Sequence, residues 1–283
     1  MELEGRIALK RPLKKGIEKI ELGINHFHNG AIIVNCAGSL EDLNGHNGRY
    51  RQMAEFMQKK ELGTIVRVGN KFSGDFSWPK NSMDNLRFVI DYCLKKGELL
   101  SGNVDPTLYL MGYSAGAGIV ATVASEFSAV EKILLIAPGI DCGPKKTREG
   151  LEKYAGEVYI VIGKNDYTVG LNAGATFYRW ASQSRKKELV KIPQCTHDFE
   201  GEKNSRILSK APIWAFAGDE TFPSPEGGII MYDKGKGPFK IRFYSSLDSG
   251  LVDVPPTEAQ KREYHLYDLG VTRISYGRAQ RDL

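Results

Sequence analysis

Six short, almost unbroken apolar runs recur through the first two thirds of the chain: Ala31–Asn35, Thr64–Val68, Thr107–Met111, Lys132–Ala137, Glu157–Gly163 and Glu188–Ile192. Between them lie stretches with helical spacing. Tyr50, Met53, Ala54 and Met57 follow the i, i+3, i+4, i+7 pattern of a helix with one buried face, and Leu86, Val89, Ile90, Cys93 and Leu94 repeat it. A further helix carries Phe177, Trp180 and Ala181, and Ser82 and Asp84 are candidate N-caps for the second helix. Parallel strands need a long crossover, whereas antiparallel ones can be joined by a tight turn. The alternation therefore predicts a three-layer α/β/α sandwich around a mainly parallel sheet. Strands apolar throughout are what a sheet covered on both faces requires.

The pattern stops near residue 219, which divides the chain into a body, 1–218, and an extension, 219–283. Thr221–Gly228 is rich in Pro and Gly and reads as a linker. Ile229–Tyr232 and Phe239–Tyr244 flank a Gly/Pro-rich turn and predict a hairpin; His265–Tyr276 is a candidate further strand. The β-rich extension is a candidate to pack on the body or to hold copies of the chain together as a homo-oligomer.

Composition removes several classes. With 41% hydrophobic and 26% charged residues the chain is neither disordered nor a membrane bundle, and no apolar run reaches membrane-spanning length. The net charge of +5 is spread among acidic residues, which speaks against nucleic acid. Cys36, Cys93, Cys142 and Cys195 are far apart with no CxxC pair and no Cys/His cluster, so a structural zinc site is not expected. The charged N-terminal stretch has no export signal, and the expectation is a cytoplasmic protein with reduced thiols.

Chemistry enters at Gly112-Tyr113-Ser114-Ala115-Gly116, directly after one apolar run and directly before an Ala/Val-rich helix. A GxSxG pattern alone is often only a glycine-rich turn. Between strand and helix it lifts the serine hydroxyl clear of the sheet edge, with a helix N-terminus behind it. A serine needs a base. Of the five histidines, His197 stands on the loop after the Glu188–Ile192 run, at the same end of the sheet; the alternative is a surface loop histidine. The third member is an acid that fixes the imidazole tautomer. Asp166, after Glu157–Gly163, is preferred to Asp141, after Lys132–Ala137, and Asp198 adjoins His197 and would point away from its ring.

In the order Ser114, Asp166, His197 the chain resembles the α/β-hydrolase superfamily over about residues 20–217. The stretch from Ala137 to Glu157 is too short for a large helical lid, so the resemblance is to capless or minimal-lid esterases and dienelactone-hydrolase-like members. It implies a final helix over Ser205–Phe216, with another strand there as the alternative. It implies an oxyanion hole from the backbone N–H groups of Ala115 and of Ala37 (or Cys36), although the family's usual His-Gly is absent from Asn35–Ser39. Relatives with other chemistries place Asp or Cys at the elbow; serine implies acyl transfer. The expected activity is hydrolysis of a small or medium carboxylic ester or thioester, without cofactor, metal, nucleic acid or membrane. A peptidase-like hydrolase and a non-catalytic binding or assembly protein are the alternatives. Phe72, Phe76 and Trp78 either line an acyl pocket or simply pack.

Overall fold

The computed structural model describes residues 4–14, 16–39, 41–70 and 78–231 and three short strands beyond them, at 240–243, 251–254 and 273–277. The elements of the body are β1 (Glu4–Pro12), β2 (Ile17–Asn25), β3 (Ala31–Cys36), α1 (Arg49–Lys59), β4 (Thr64–Val68), α2 (Trp78–Lys95), α3 (Gly97–Ser101), β5 (Thr107–Tyr113), α4 (Ala115–Val123), β6 (Val130–Ile136), α5 (Pro144–Lys153), β7 (Glu157–Gly163), α6 (Ala173–Trp180), β8 (Lys186–Ile192) and α7 (Gly201–Ala217).

The sheet runs β1-β2-β4-β3-β5-β6-β7-β8. The six strands from β4 to β8 are mutually parallel. β2 joins β4 antiparallel, and β1 pairs with β2 in continuous register from Glu4↔Asn25 to Pro12↔Ile17. β3, β4 and nearly all of β7 are buried along their length, as strands covered on both faces must be. One face holds α2, α4, α5 and α6, whose Leu86, Val89, Ile119, Leu151 and Phe177 share a core with Val34, Leu110 and Ile160. The other holds α1 and α7, whose Tyr50, Met53, Met57, Leu208 and Trp214 pack with Ile33, Met111 and Val161. That is the expected three-layer sandwich, with the Ser205–Phe216 segment helical rather than a strand.

Four features depart from the sequence reading. The β1–β2 hairpin was not anticipated. Ser82 and Asp84 do not cap α2, which already begins at Trp78. The Ser82 hydroxyl instead donates to Asn70 Oδ1, and Asp84 pairs with Lys80 and Arg87 at 3.1 and 2.8 Å. The Pro/Gly-rich stretch after α7 is packed: Phe222 stacks on Trp214 at 4.7 Å, and the N–H groups of Ile229 and Met231 donate to the Ser209 and Ser205 hydroxyls at 2.9 and 2.8 Å. The first compact unit accordingly runs Met1–Tyr232 and the second Asp233–Leu283. Lastly, Ile229–Met231 forms no strand, and Tyr232 with the turn of the expected hairpin lies outside the described residues. In the second unit β9 (Lys240–Phe243) pairs parallel with β11 (Arg273–Gly277), and β10 (Leu251–Val254) pairs antiparallel with it. The remainder of the predicted strand over His265–Tyr276 lies outside the described residues. Among the described residues no helix is long and apolar enough to cross a membrane.

Candidate active site

β5 lies mid-sheet and ends in a turn that bends straight into α4. Ser114, at that turn, has φ 53° and ψ −120°, a conformation that costs a non-glycine residue about 1–3 kcal/mol and persists only when its surroundings hold it. Its N–H donates to Ile136 O at 2.9 Å, and its carbonyl accepts from the N–H groups of Ala117, Gly118 and Gly139 at 3.0, 3.2 and 3.0 Å. The flanking glycines are required by contact. A Cβ on Gly112 would fall 2.4 Å from Gly116 O, and one on Gly116 would fall 2.3 Å from the carbonyl oxygens of both Cys36 and Ala37.

The loops after β7 and β8 converge on this turn. Ser114 Oγ is 3.0 Å from His197 Nε2, and His197 Nδ1 is 2.8 Å from Asp166 Oδ2. Asp166 is fully buried, and its other oxygen accepts the N–H groups of Thr168 and Val169 at 3.1 and 3.2 Å. A carboxylate bound this way leaves His197 Nδ1 to carry a proton and Nε2 to face the serine as acceptor. The structure thus brings together the three side chains singled out in the sequence. Asp141 makes no hydrogen bond to His197, and Asp198 leans away toward Arg49, with 3.8 Å between Oδ1 and Nη1.

Solved structures with related folds include dienelactone hydrolase from Anabaena variabilis, at a TM-score of 0.58 and 17% identity over 75% of this chain and 99% of that one. Est1E from Butyrivibrio proteoclasticus gives 0.53 and 17%, covering 69% of this chain and 92% of that one. An alpha-beta serine hydrolase homologue from Coxiella burnetii gives 0.52 and 19%, covering 68% and 89%. The chain has the α/β-hydrolase fold. No family model and no curated protein sequence matches it.

In an α/β-hydrolase fold the loop after β3 faces the nucleophile turn, and here the donor expected at Ala37 is already engaged. The Ala37 N–H donates to Val68 O at 3.1 Å, extending the β3–β4 ladder by one residue. The Gly38 N–H faces Glu41 Oε2 and Tyr50 Oη, both at 3.1 Å. The next amide is that of Ser39, for which no acceptor is found among the described residues. On the other side, Ala115 occupies the first helical position of α4, where an N–H has no partner within its own helix.

A half-buried polar cluster around Glu41 that the sequence did not disclose ties these loops together. Glu41 accepts the N–H of Gly38, the N–H of His46 at 3.2 Å, the Tyr50 hydroxyl and Arg49 Nη2 at 2.7 Å. The Arg49 guanidinium lies 4.0 Å from the centroid of the Tyr113 ring, and the Tyr113 hydroxyl donates to His197 O. Burial pushes the Tyr50 hydroxyl well above its ordinary pKa, with the Arg49 charge opposing. The thiols are sequestered too: burial pushes Cys36 and Cys195 up to about 12. Among the described residues no group of three or more His, Cys, Asp and Glu is arranged to hold a metal. Phe72 and Phe76 lie outside the described residues, as does the side chain of Trp78.

Proposed function

We propose that the protein is a serine hydrolase working through an acyl-enzyme, with Ser114 as nucleophile, His197 as general base and acid, and Asp166 as the group that orients and stabilises the imidazole. The observation that carries this reading is the unbroken chain Ser114 Oγ–His197 Nε2–His197 Nδ1–Asp166 Oδ2, at 3.0 and 2.8 Å, built on a strained turn. Ser114 Oγ attacks the acyl carbonyl as its proton passes to Nε2. The carbonyl oxygen, now an oxyanion, is received by the Ala115 N–H and, on the side of the β3 loop, by the Ser39 N–H in place of Ala37. Each such donor contributes about 10²–10³ to turnover. Collapse expels the alcohol or thiol, which takes the proton from His197. Water, deprotonated by the same imidazole, then releases the acid and restores the serine.

A carboxylic ester or thioester of small or medium acyl size fits best. The β6–β7 connection contains one helix, α5, and no inserted lid. The test is labelling with a fluorophosphonate, followed by intact mass and peptide mapping, with Ser114→Ala and His197→Ala alongside. One adduct on Ser114, lost in both variants, is the expected result. A folded protein that takes no label would refute the assignment.

A further inference from the structure

The loop after β6 carries a carboxylate that the mechanism above leaves unused. Residues 137–143 fold back over the nucleophile turn, where the Gly139 N–H donates to Ser114 O at 3.0 Å. A Cβ on Gly139 would lie 2.5 Å from Asp141 Oδ2 and 3.6 Å from both the Ala115 nitrogen and the Ser114 carbonyl carbon. Asp141 Oδ2 is therefore within about 6 Å of the amide assigned to the oxyanion. Asp141 is exposed as a residue and makes no ion pair among the described residues. Partial burial of its carboxyl raises its pKa, opposed by a hydrogen bond from its own backbone N–H and, less, by His197.

A negative charge at that distance works against a developing oxyanion, and the partial burial of the Asp141 carboxyl weakens the screening between the two. A positive charge on the substrate reverses the balance. We propose that Asp141 is a specificity-determining residue that selects acyl substrates carrying an ammonium-type cation near the scissile carbonyl. The exposed apolar side chains at the same end of the sheet suit the alkyl part of such a group. Ile140 adjoins Asp141, Tyr167 adjoins Asp166, and Leu171 follows on the same loop as Tyr167, with exposures of 50%, 74% and 47%. An aromatic face and a carboxylate together are a common receptor for alkylammonium.

The inference takes its reaction from the serine-hydrolase reading, but cation binding needs no turnover, so the two can fail separately. The probes are p-nitrophenyl 4-(trimethylammonio)butanoate and its neutral isostere p-nitrophenyl 5,5-dimethylhexanoate, with wild type, Asp141→Asn and Asp141→Glu. Wild type is expected to favour the cation in kcat/KM by roughly tenfold more than Asp141→Asn does. Asp141→Glu retains the preference, and raising salt from about 0.02 to about 0.5 M shrinks it. Equal ratios in wild type and Asp141→Asn, or an equal loss on both substrates, would overturn the proposal. Calorimetry with the matching amides, 4-(trimethylammonio)butanamide and 5,5-dimethylhexanamide, covers the case without turnover. Cation-selective binding lost in Asp141→Asn, in a protein whose Ser114 takes no fluorophosphonate, would reject the hydrolase and keep the cation site. Absence of selectivity in both assays would reject the cation site.

Discussion

Replacing Asp166 with Asn tests the hydrogen-bond logic of the site at a single proton. The two carboxylate oxygens have different duties: one accepts two backbone N–H groups at 3.1 and 3.2 Å, and the other faces His197 Nδ1 at 2.8 Å. An asparagine in this pose must leave its carbonyl oxygen on the two N–H groups, since its own NH2 there would set donors against donors. The NH2 is then forced onto Nδ1, which must give up its proton to accept. The proton moves to Nε2, 3.0 Å from Ser114 Oγ, and the imidazole now offers the serine a donor where an acceptor is needed. Loss of tautomer control of this kind lowers kcat about 10⁴-fold in the serine-protease template, equivalent to about 5.4 kcal/mol of transition-state stabilisation. Volume and the two backbone bonds are preserved, so the melting temperature is expected to move by only a few degrees. The assay is hydrolysis of p-nitrophenyl acetate together with the rate of fluorophosphonate labelling, both of which require Nε2 as base. Turnover within tenfold of wild type in a folded Asp166→Asn protein would refute the reasoning. So would an equal or larger loss in Asp141→Asn.

Three further expectations rest on other parts of the site and core. Ser39→Pro removes the amide assigned to the oxyanion and is expected to lower kcat about 10²–10³-fold with little change in KM, while Ser39→Ala keeps activity; steady-state kinetics on both variants decide it. Gly116→Ala drives a methyl to 2.3 Å from two backbone carbonyl oxygens. It is expected to destabilise by at least about 1–3 kcal/mol in urea unfolding and to abolish turnover by pushing the β3 loop off the elbow. Burial pushes Cys36, Cys93 and Cys195 to about 12 and Cys142 to about 11, from 9.0 when unfolded. The folded state therefore holds these protons more tightly, and stability is fully present below pH 9 and falls as pH rises toward 11 to 12. Urea melts across that window should show the decline, and iodoacetamide near pH 8 should modify the thiols only after unfolding.

The strands of the central sheet were legible because burial on both faces makes them apolar from end to end. β1 is the edge strand and β2 lies beside it; there Ile20 and Leu22 flank Glu21, and Ile7-Ala8-Leu9 is bounded by Arg6 and Lys10, a weaker signal that passed unread. Ser114, His197 and Asp166 could be found because each follows directly on a recognisable strand and parallel strands end on one side. Hydrogen-bond commitments could not. Whether the Ala37 amide is free depends on Val68 arriving beside it, and whether Ser82 caps a helix depends on where α2 begins, four residues earlier at Trp78. The same applies to Ile229–Met231, whose apolar run looks like a strand but whose amides are taken by serine hydroxyls of α7. Glu41 and Arg49 read as ordinary surface charges until their loops meet.

Those two charges set how the site comes apart. Arg49 is 4% exposed and Glu41 16%, and separating a pair at that depth leaves one ion stranded in poor solvent. The guanidinium also rests on Tyr113, whose hydroxyl holds the carbonyl of His197. A fluctuation that lifts the β3 loop must therefore release the histidine loop as well, although the two segments are remote in the chain. Local opening is expected to be one cooperative event, in which amide hydrogens on both loops exchange together, and in the proposed mechanism it removes the histidine and the β3-loop amide at once. On the proposed mechanism such coupling leaves the site either assembled or open, since the two loops share the Glu41–Arg49–Tyr113 link.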